Sequence, residues 1–201
     1  VLLSDAANNG AKIKVAEDKK SATTTVSGDG FTIVFDNAKG VFESVTYGVE
    51  TVFEKGSSMT LSGYRAPVDN DIWAWNRWFA LGLYDLKDEV VSFVSKKNND
   101  GTVVLQYIVR TQAKHPGRRI KNEDNSFTVQ DDKREFGANE FHFISNRIRT
   151  IYPDGSVELN SSVTGSDANA LLARIGYMMQ LPTDLKNYTY YGRGPWNNYN
   201  D

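Results

Sequence analysis

The amino-acid sequence predicts an all-β protein of antiparallel strands with one short helix, and three observations lead to this prediction. Apolar and polar residues alternate over many short runs, which is the pattern of strands with one buried face. Gly, Asn and Asp cluster between these runs, as expected for hairpin turns. Helical spacing of apolar residues is clear in only one segment, and no repeat of roughly 20–50 residues is present.

The N-terminal third predicts short strands joined by tight turns. Phe31, Ile33 and Phe35 lie on one face of an alternating run that is enclosed by the turn residues 28–30 and 36–40. The predicted strands are residues 11–18, 22–27, 31–35, 41–47, 51–53 and 59–64.

One short helix is predicted near residues 75–86. Trp75, Trp78, Phe79 and Leu83 recur at intervals of three and four residues, which places them on one face of a helix. Gly82 weakens this prediction, because glycine costs about 1 kcal/mol relative to alanine inside a helix. We expect Trp78 and Phe79 to anchor the helix on a sheet.

The strand pattern resumes after the helix. Two turns, at Asp100-Gly101 and at residues 153–156, are strong hairpin signals. Residues 113–138 are polar and rich in charges of both signs, so we interpret them as a solvated long loop or extended hairpin tip with a short strand over 127–129. The other predicted strands are residues 90–97, 102–111, 140–152, 157–163 and 171–181.

Composition excludes several classes of function. The 201 residues carry a formal net charge of −2, with 23 basic and 25 acidic residues mixed along the chain, so we expect neither nucleic acid nor an anionic membrane as a partner. The absence of cysteine rules out disulfides and thiolate metal sites, and two histidines make a histidine-rich metal site unfavourable. The compartment is not indicated. A start at Val1 suggests a fragment of a longer protein.

Residues 64–79 form the one stretch where reactive and aromatic residues are dense. Pro67 interrupts the preceding strand, residues 69–71 favour a turn, and three tryptophans follow within six residues. Such a corner suits a sugar, whose ring faces stack on aromatics while its hydroxyl groups bind polar side chains. It also suits simple packing, which is the commoner role of clustered aromatic residues.

Two motifs resemble a known family when they are taken together. The first is Tyr64-Arg65-Ala66-Pro67-Val68-Asp69-Asn70-Asp71, and the second is Gly192-Arg193-Gly194-Pro195-Trp196-Asn197-Asn198-Tyr199-Asn200-Asp201. They resemble the R-A-P-x-D-N-D and G-R-G-P-x-E-N-Y-x-D turns of the C-terminal small-chain domain of glycoside hydrolase family 2 β-galactosidases. Residues 44–45, 173–176 and 181–182 are similar too.

The resemblance implies a single domain over residues 1–201, an antiparallel two-sheet supersandwich of the galactose mutarotase type, with residues 1–28 as preceding strands or a linker. It also implies that the catalytic glutamates of the parent β-galactosidase lie on a separate TIM-barrel domain. We therefore expect no catalytic residue, no metal ligand and no cofactor in this chain. Mg or Na ions needed by the parent enzyme would bind elsewhere.

The resemblance places part of the first motif near the sugar pocket of the parent enzyme. The substrate-proximal residues it implies are Asp69, Asn70, Asp71, Trp73, Trp75 and Asn76. The residues it assigns to the turn scaffold are Arg65, Pro67, Arg193, Gly194, Pro195, Asn198 and Tyr199. The implied partners are the catalytic barrel of the same parent chain and a β-galactoside.

Three departures from the family pattern are visible. The loop after Asp71 is short, Asn197 stands where the family has Glu, and the sequence ends at Asp201 where family members continue. We therefore expect a truncated supersandwich whose exposed sheet edges promote self-association. The alternative functions are a stand-alone carbohydrate-binding or mutarotase-like β-sandwich, and a purely structural sandwich without sugar contact.

Overall fold

A computed structural model describes residues 12–53, 59–187 and 189. Within these residues the chain forms thirteen strands and one short helix. The strands are β1 (Lys14–Asp18), β2 (Thr23–Gly28), β3 (Phe31–Asp36), β4 (Val41–Tyr47), β5 (Glu50–Phe53), β6 (Thr60–Ser62), β7 (Leu86–Lys97), β8 (Val103–Ala113), β9 (Gly117–Lys121), β10 (Phe127–Asp131), β11 (Phe143–Ile151), β12 (Val157–Gly165) and β13 (Gly176–Met178). Helix α1 is Trp75–Ala80, preceded by a single 3-10 turn at Asp69–Asp71.

The first sheet is a five-stranded antiparallel meander in the order β1-β2-β3-β4-β5. Its short turns hold the strands in sequential order, as the spacing of the turn residues predicts. The turn between β3 and β4 favours glycine at position 40, because the φ of Gly40, 66°, lies in the left-handed region. A Cβ at this position would also lie 3.0 Å from the Val90 side chain of the other sheet.

The second sheet has four antiparallel strands in the order β12-β11-β8-β7. Its central strand β8 alternates strictly, so that one face is completely buried. The buried residues of both sheets form one hydrophobic cluster, which shows that the sheets pack face to face as a sandwich. Its members are Ile13, Val26, Phe31, Ile33, Phe35, Phe42, Val45, Val103, Leu105, Tyr107, Val109 and Ile151. The predicted all-β class and antiparallel pairing are confirmed.

A second, smaller core lies where helix α1 meets strand β11. Trp78 of the helix and Phe143 of the strand belong to the same cluster of buried residues, together with Leu61, Ala74, Leu83 and Phe141. Strands β6 and β13 pair with each other, and residues of both belong to this cluster or pack on it. The anchoring of Trp78 on a sheet, expected from the helical spacing, is therefore present.

A band of polar residues separates the two cores along the inner face of β11. Ser145, Arg147 and Arg149 are all buried between Phe143 at one end of the strand and Ile151 at the other. Arg147 forms a double ion pair with Asp88 of β7, at 2.7 and 3.0 Å, and its Nε donates to the Ser145 hydroxyl group at 3.0 Å. The Thr111 hydroxyl group of β8 also donates to Asp88. One network therefore joins β7, β8 and β11.

The helix is shorter than the sequence predicts. It ends at Ala80 rather than near residue 86, and Leu86 already begins strand β7. Gly82 explains the early end, because its φ of +68° is incompatible with a right-handed helix. A Cβ at Gly82 would lie 2.3 Å from the Ala113 side chain, so the chain reverses where only glycine fits.

Two other segments differ from their predicted extent. The predicted strand over residues 171–181 is reduced to Gly176–Met178, which pairs with β6. The polar segment 113–138 contains a regular antiparallel hairpin of β9 and β10. Among the described residues, no helix has the length and apolar character required to cross a membrane.

Removal of the Asp88 carboxylate is expected to destabilise the sandwich. The Asp88→Asn variant leaves Arg147 buried without its counter-charge, and breaking a buried pair from one side costs about 3–5 kcal/mol. The matched control is Asp85→Asn, because Asp85 pairs with Lys87 at the surface, where the side chains are 47% and 68% exposed. Such a pair contributes at most about 1 kcal/mol. Urea unfolding of both variants measures the difference, and equal losses would contradict a structural role for the buried pair.

Candidate functional site

The turn at Asp69–Asp71 is fastened by one carboxylate. Asp71 accepts two hydrogen bonds from the Arg65 guanidinium, at 2.5 and 2.8 Å, and a third from the Val68 amide at 2.8 Å. The Arg65 hydrogen bonds, followed by the Val68 amide, lower the pKa of Asp71 below its ordinary value. Asp71 is only 8% exposed, so this carboxylate acts inside the turn.

Arg65 also connects the turn to the helix. Its guanidinium lies over the Trp78 ring, 5.3 Å from the ring centre, and Trp78 is buried in the second core. A cation over a tryptophan face is favourable, and more so where water is excluded. The turn is therefore held both to itself and to the core beneath it.

The three tryptophans of this segment enter three different environments. Trp78 is buried, Trp75 is half-buried, and Trp73 is 69% exposed. Val68 and Ile72, on either side of the turn, are 57% and 61% exposed. We call Val68, Ile72 and Trp73 the exposed corner, an apolar group on a turn whose geometry is fixed from below.

The six residues that the family resemblance places near a substrate differ in their exposure. Asp69, Asn70, Trp73 and Asn76 are exposed. Asp71 is engaged inside the turn, and Trp75 is turned toward the β9–β10 hairpin. Trp73, Asp69 and Asn70 are therefore exposed together on one short segment. Proximity to a substrate stays a prediction for all six residues.

The β9–β10 hairpin packs on the helix through a contact that the sequence did not predict. The Arg119 guanidinium lies between two aromatic rings, 4.2 Å from the centre of Trp75 and 3.8 Å from the centre of Phe127. Most of the polar segment 113–138 is exposed, as its sequence predicts, but Arg119 is half-buried and its guanidinium stacks on Trp75 of the helix. The signal in the sequence is Phe127, one of the few large apolar residues in a mostly polar segment.

A second contact fixes the base of the same hairpin. The Tyr84 hydroxyl group donates a hydrogen bond to the Asp131 carboxylate at the end of β10. Burial, reinforced by this hydrogen bond, raises the pKa of Tyr84. The hairpin is thus held at both Trp75 and Tyr84, and it covers the side of the helix on which Trp75 lies.

The carboxyl groups with shifted pKa values and both histidines form structural contacts. The carboxyl groups with clearly shifted pKa values are all shifted downward by hydrogen bonds from nearby amides, hydroxyl groups or Arg: Asp18, Asp71, Asp100, Asp124, Asp132 and Glu140. A general acid needs the opposite shift. His115 and His142 contact the backbone carbonyl groups of Arg134 and Glu140. Within the described ranges, no group of three or more His, Asp or Glu side chains is arranged to hold a metal ion.

Of the remaining residues of the predicted turn scaffold, Pro67 alone is among the described residues. Pro67 precedes the extended Val68, which leads directly into the 3-10 turn. Arg193, Gly194, Pro195, Asn198 and Tyr199 lie outside the described residues.

Comparison with known proteins connects this corner and its sandwich to one family. A family model described as "Beta galactosidase small chain" matches residues 27–201. Curated proteins named "Beta-galactosidase" from Psychromonas ingrahamii, Priestia megaterium and Oenococcus oeni are 24%, 24% and 26% identical, over 94%, 92% and 94% of this chain. The chain spans only 15–17% of the length of these relatives. The family match covers the sandwich from the end of β2 onward and includes residues 64–79, and the chain belongs to the β-galactosidase small chain family.

Proposed function

We propose that this chain is a non-catalytic part of a β-galactosidase-like glycosidase. In this proposal it packs on the catalytic barrel of the parent chain and helps to shape the sugar pocket for the hydrolysis of terminal β-galactosides. The family membership supports the association with a β-galactosidase. The exposed corner is the single observation that supports the finer role.

The exposed corner has the properties of a preformed contact surface. Trp73 is a large aromatic side chain, yet it is 69% exposed on a turn that Asp71 and Arg65 hold in place. Exposed aromatic groups on a rigid support favour binding, because little conformational freedom is lost when they are covered. Asp69 and Asn70 beside it offer hydrogen-bond partners for sugar hydroxyl groups or for a neighbouring domain.

The state of the carboxyl groups supports a non-catalytic role. Hydrolysis of a glycoside requires one carboxylic acid with a raised pKa and a second carboxylate at a defined separation, about 5–5.5 Å in retaining enzymes. The described carboxyl groups with clear shifts have lowered pKa values and are bound in turns or ion pairs. We propose that the acid, the nucleophile and any Mg or Na ion belong to the rest of the parent chain.

A stand-alone sugar-binding or mutarotase-like sandwich is the alternative, since a tryptophan beside polar side chains also suits a self-sufficient sugar site.

We further propose that the isolated chain self-associates. This proposal is supported by exposed apolar residues on and after β13, namely Met178, Met179 and Leu181. Light scattering on the purified chain measures this association.

The proposed role predicts a division of activity between the chain and its parent. The full-length gene product should hydrolyse a nitrophenyl β-galactoside, whereas the 201-residue chain alone should neither hydrolyse it nor bind galactose. In the full-length protein, Trp73→Ala should lower kcat/KM about tenfold, the equivalent of about 1.4 kcal/mol lost with one stacked contact.

The matched control for Trp73→Ala is Val94→Ala, which truncates a side chain of similar exposure, 60%, on strand β7 away from the corner. It should leave kcat/KM unchanged. Saturable binding of galactose by the chain alone would favour the stand-alone alternative. Activity of the full-length protein that is equally insensitive to both variants would contradict the role of the exposed corner.

Loss of the Arg119 side-chain charge should loosen the hairpin at one of its two contacts, without unfolding the sandwich. In Arg119→Gln the stacked contact with Trp75 and Phe127 is lost, so protease cleavage between β9 and β10 should become several-fold faster. Arg118→Gln is the control, because the neighbouring Arg118 is exposed and bonds only weakly across the hairpin to Gln130, at 3.4 Å. Equal cleavage rates in the two variants would show that the stacked contact does not hold the hairpin.

The stability of the folded chain should depend on pH through Asp71. Because the folded protein lowers the pKa of this group, the ionised carboxylate stabilises the fold above the unfolded value of about 3.9. That contribution is lost as the pH falls through the folded value. Thermal melts should therefore show a higher Tm for the unsubstituted chain than for Asp71→Asn at pH 7, and this difference should shrink as the pH falls below about 3.9. Asp69→Asn, on the exposed side of the same turn, should show no such convergence.

A further inference from the structure

Strand β12 lies at the edge of the four-stranded sheet, and no described strand pairs with its outer side. It runs for nine residues and pairs with β11 without a bulge. Glu158 is its one charged residue, and it contains no proline. A long, regular edge strand with so little charge presents a row of backbone groups that can accept a further strand.

The other edges of the two sheets carry features that hinder such pairing, and β12 lacks them. Strand β7 has a bulge between Val90 and Ser92 and three lysines. Strand β1 has three charged residues among its five, and strand β5 is only four residues long. Charges, bulges and short length are the means by which proteins keep sheet edges apart. The bare edge of β12 is therefore the one suited to pairing.

Hydrogen bonds at the two ends of the β11–β12 pair show which backbone groups of β12 face outward. The Tyr152 amide donates to the Ser156 carbonyl oxygen at 2.9 Å, and the Ser166 amide donates to the His142 carbonyl oxygen at 2.8 Å. Opposed residues of an antiparallel pair exchange hydrogen bonds at alternate positions. The even-numbered residues of β12 therefore bond to β11, and the odd-numbered residues direct their backbone groups toward the free edge.

The side chains of the same odd-numbered residues lie on the inner face of the sheet. Leu159 and Ser161 are paired with Arg149 and Arg147 of β11. Arg149 is 3% exposed whereas Leu159 is 44% exposed, so the cover over the inner face ends between the two strands. The Ser161 hydroxyl group shares a hydrogen bond of 2.5 Å with the Tyr177 hydroxyl group of β13. The edge thus combines outward backbone groups with an uncovered apolar side chain.

We propose that β12 pairs antiparallel with β12 of a second copy of this chain, with Ser161 of each copy opposite Ser161 of the other. This register brings the outward-facing backbone groups of both strands together. It also places Leu159 of each copy opposite Val163 of the other, so that two apolar pairs form on one face. The two four-stranded sheets then become one continuous sheet of eight strands.

The charges of β12 are compatible with this pairing, which is why a second copy fits the edge. Glu158 lies opposite the uncharged Thr164 of the other copy. The two Glu158 carboxylates are six residues apart along the paired strands, about 20 Å, so no like charges meet. The inference rests on the self-association proposed above, for which it names the surface, and it does not depend on the role in glycoside hydrolysis.

Sedimentation velocity of the 201-residue chain over a range of concentrations tests the pairing through charge. Ser161→Lys places two like charges directly opposite each other and should weaken the dimer at least about tenfold. Thr164→Lys adds the same charge at another exposed position of β12, but opposite Glu158, and should leave the dimer as strong or stronger. A chain that stays monomeric would overturn both the self-association and the pairing. A dimer that both variants affect equally would overturn the pairing alone.

A cross-linking experiment tests the register without introducing repulsion. The chain contains no cysteine, so a single introduced cysteine can form a disulfide only between two copies. Opposed residues that exchange hydrogen bonds have their Cα atoms about 5.5 Å apart, which a disulfide can span. Under oxidation by diamide, Ser161→Cys should give a covalent dimer, whereas Ser92→Cys, exposed on the edge strand β7, should not. An associated chain in which Ser161→Cys does not cross-link would show that something else covers the edge, and would overturn the proposal.

Discussion

The fold depends on how strand β11 accommodates charged side chains in the interior of the protein. The inner face of β11 begins with Phe143 in the smaller core and ends with Ile151 in the sandwich core. Between them lies the pair of Arg147 with Asp88, whose side chains are 3% and 7% exposed. Because β7, β8 and β11 each contribute a side chain to the hydrogen bonds of this pair, their alignment is set by polar geometry as well as by apolar packing.

This alignment determines where helix α1 and the turn before it lie. Helix α1 has only six residues, too few to be stable alone, so its position follows from the burial of Trp78 and Phe79. Trp78 packs in the core that contains Phe143 of β11, and Arg65 lies over its outer side. The exposed turn is thus connected to this core through Arg65 and Trp78.

Local chemistry made much of this structure predictable, and long-range contacts account for the rest. The hairpins at Gly101 and Gly155 were predicted from the Asp-Gly pairs of their turns. Both glycines occupy the left-handed region that such turns require, with φ of 87° and 86°. The helix was predicted too long because its apolar spacing continues past Gly82, whose close contact with Ala113 is visible only in three dimensions. The burial of Arg149 and the stacking of Arg119 likewise depend on partners far away in sequence, and a charged residue in an alternating strand gives no local sign of its depth.

The exposure of Trp73 follows from the same set of constraints. The space beneath the turn is filled by Trp78, and the side facing the hairpin is filled by Trp75 and Arg119. Asp71 and Arg65 prevent the turn from rotating toward either, because rotation would break three hydrogen bonds to one nearly buried carboxylate. Trp73 is therefore held outward by its neighbours and cannot relieve its exposure by refolding locally. A side chain kept in this state is available to be covered by another surface.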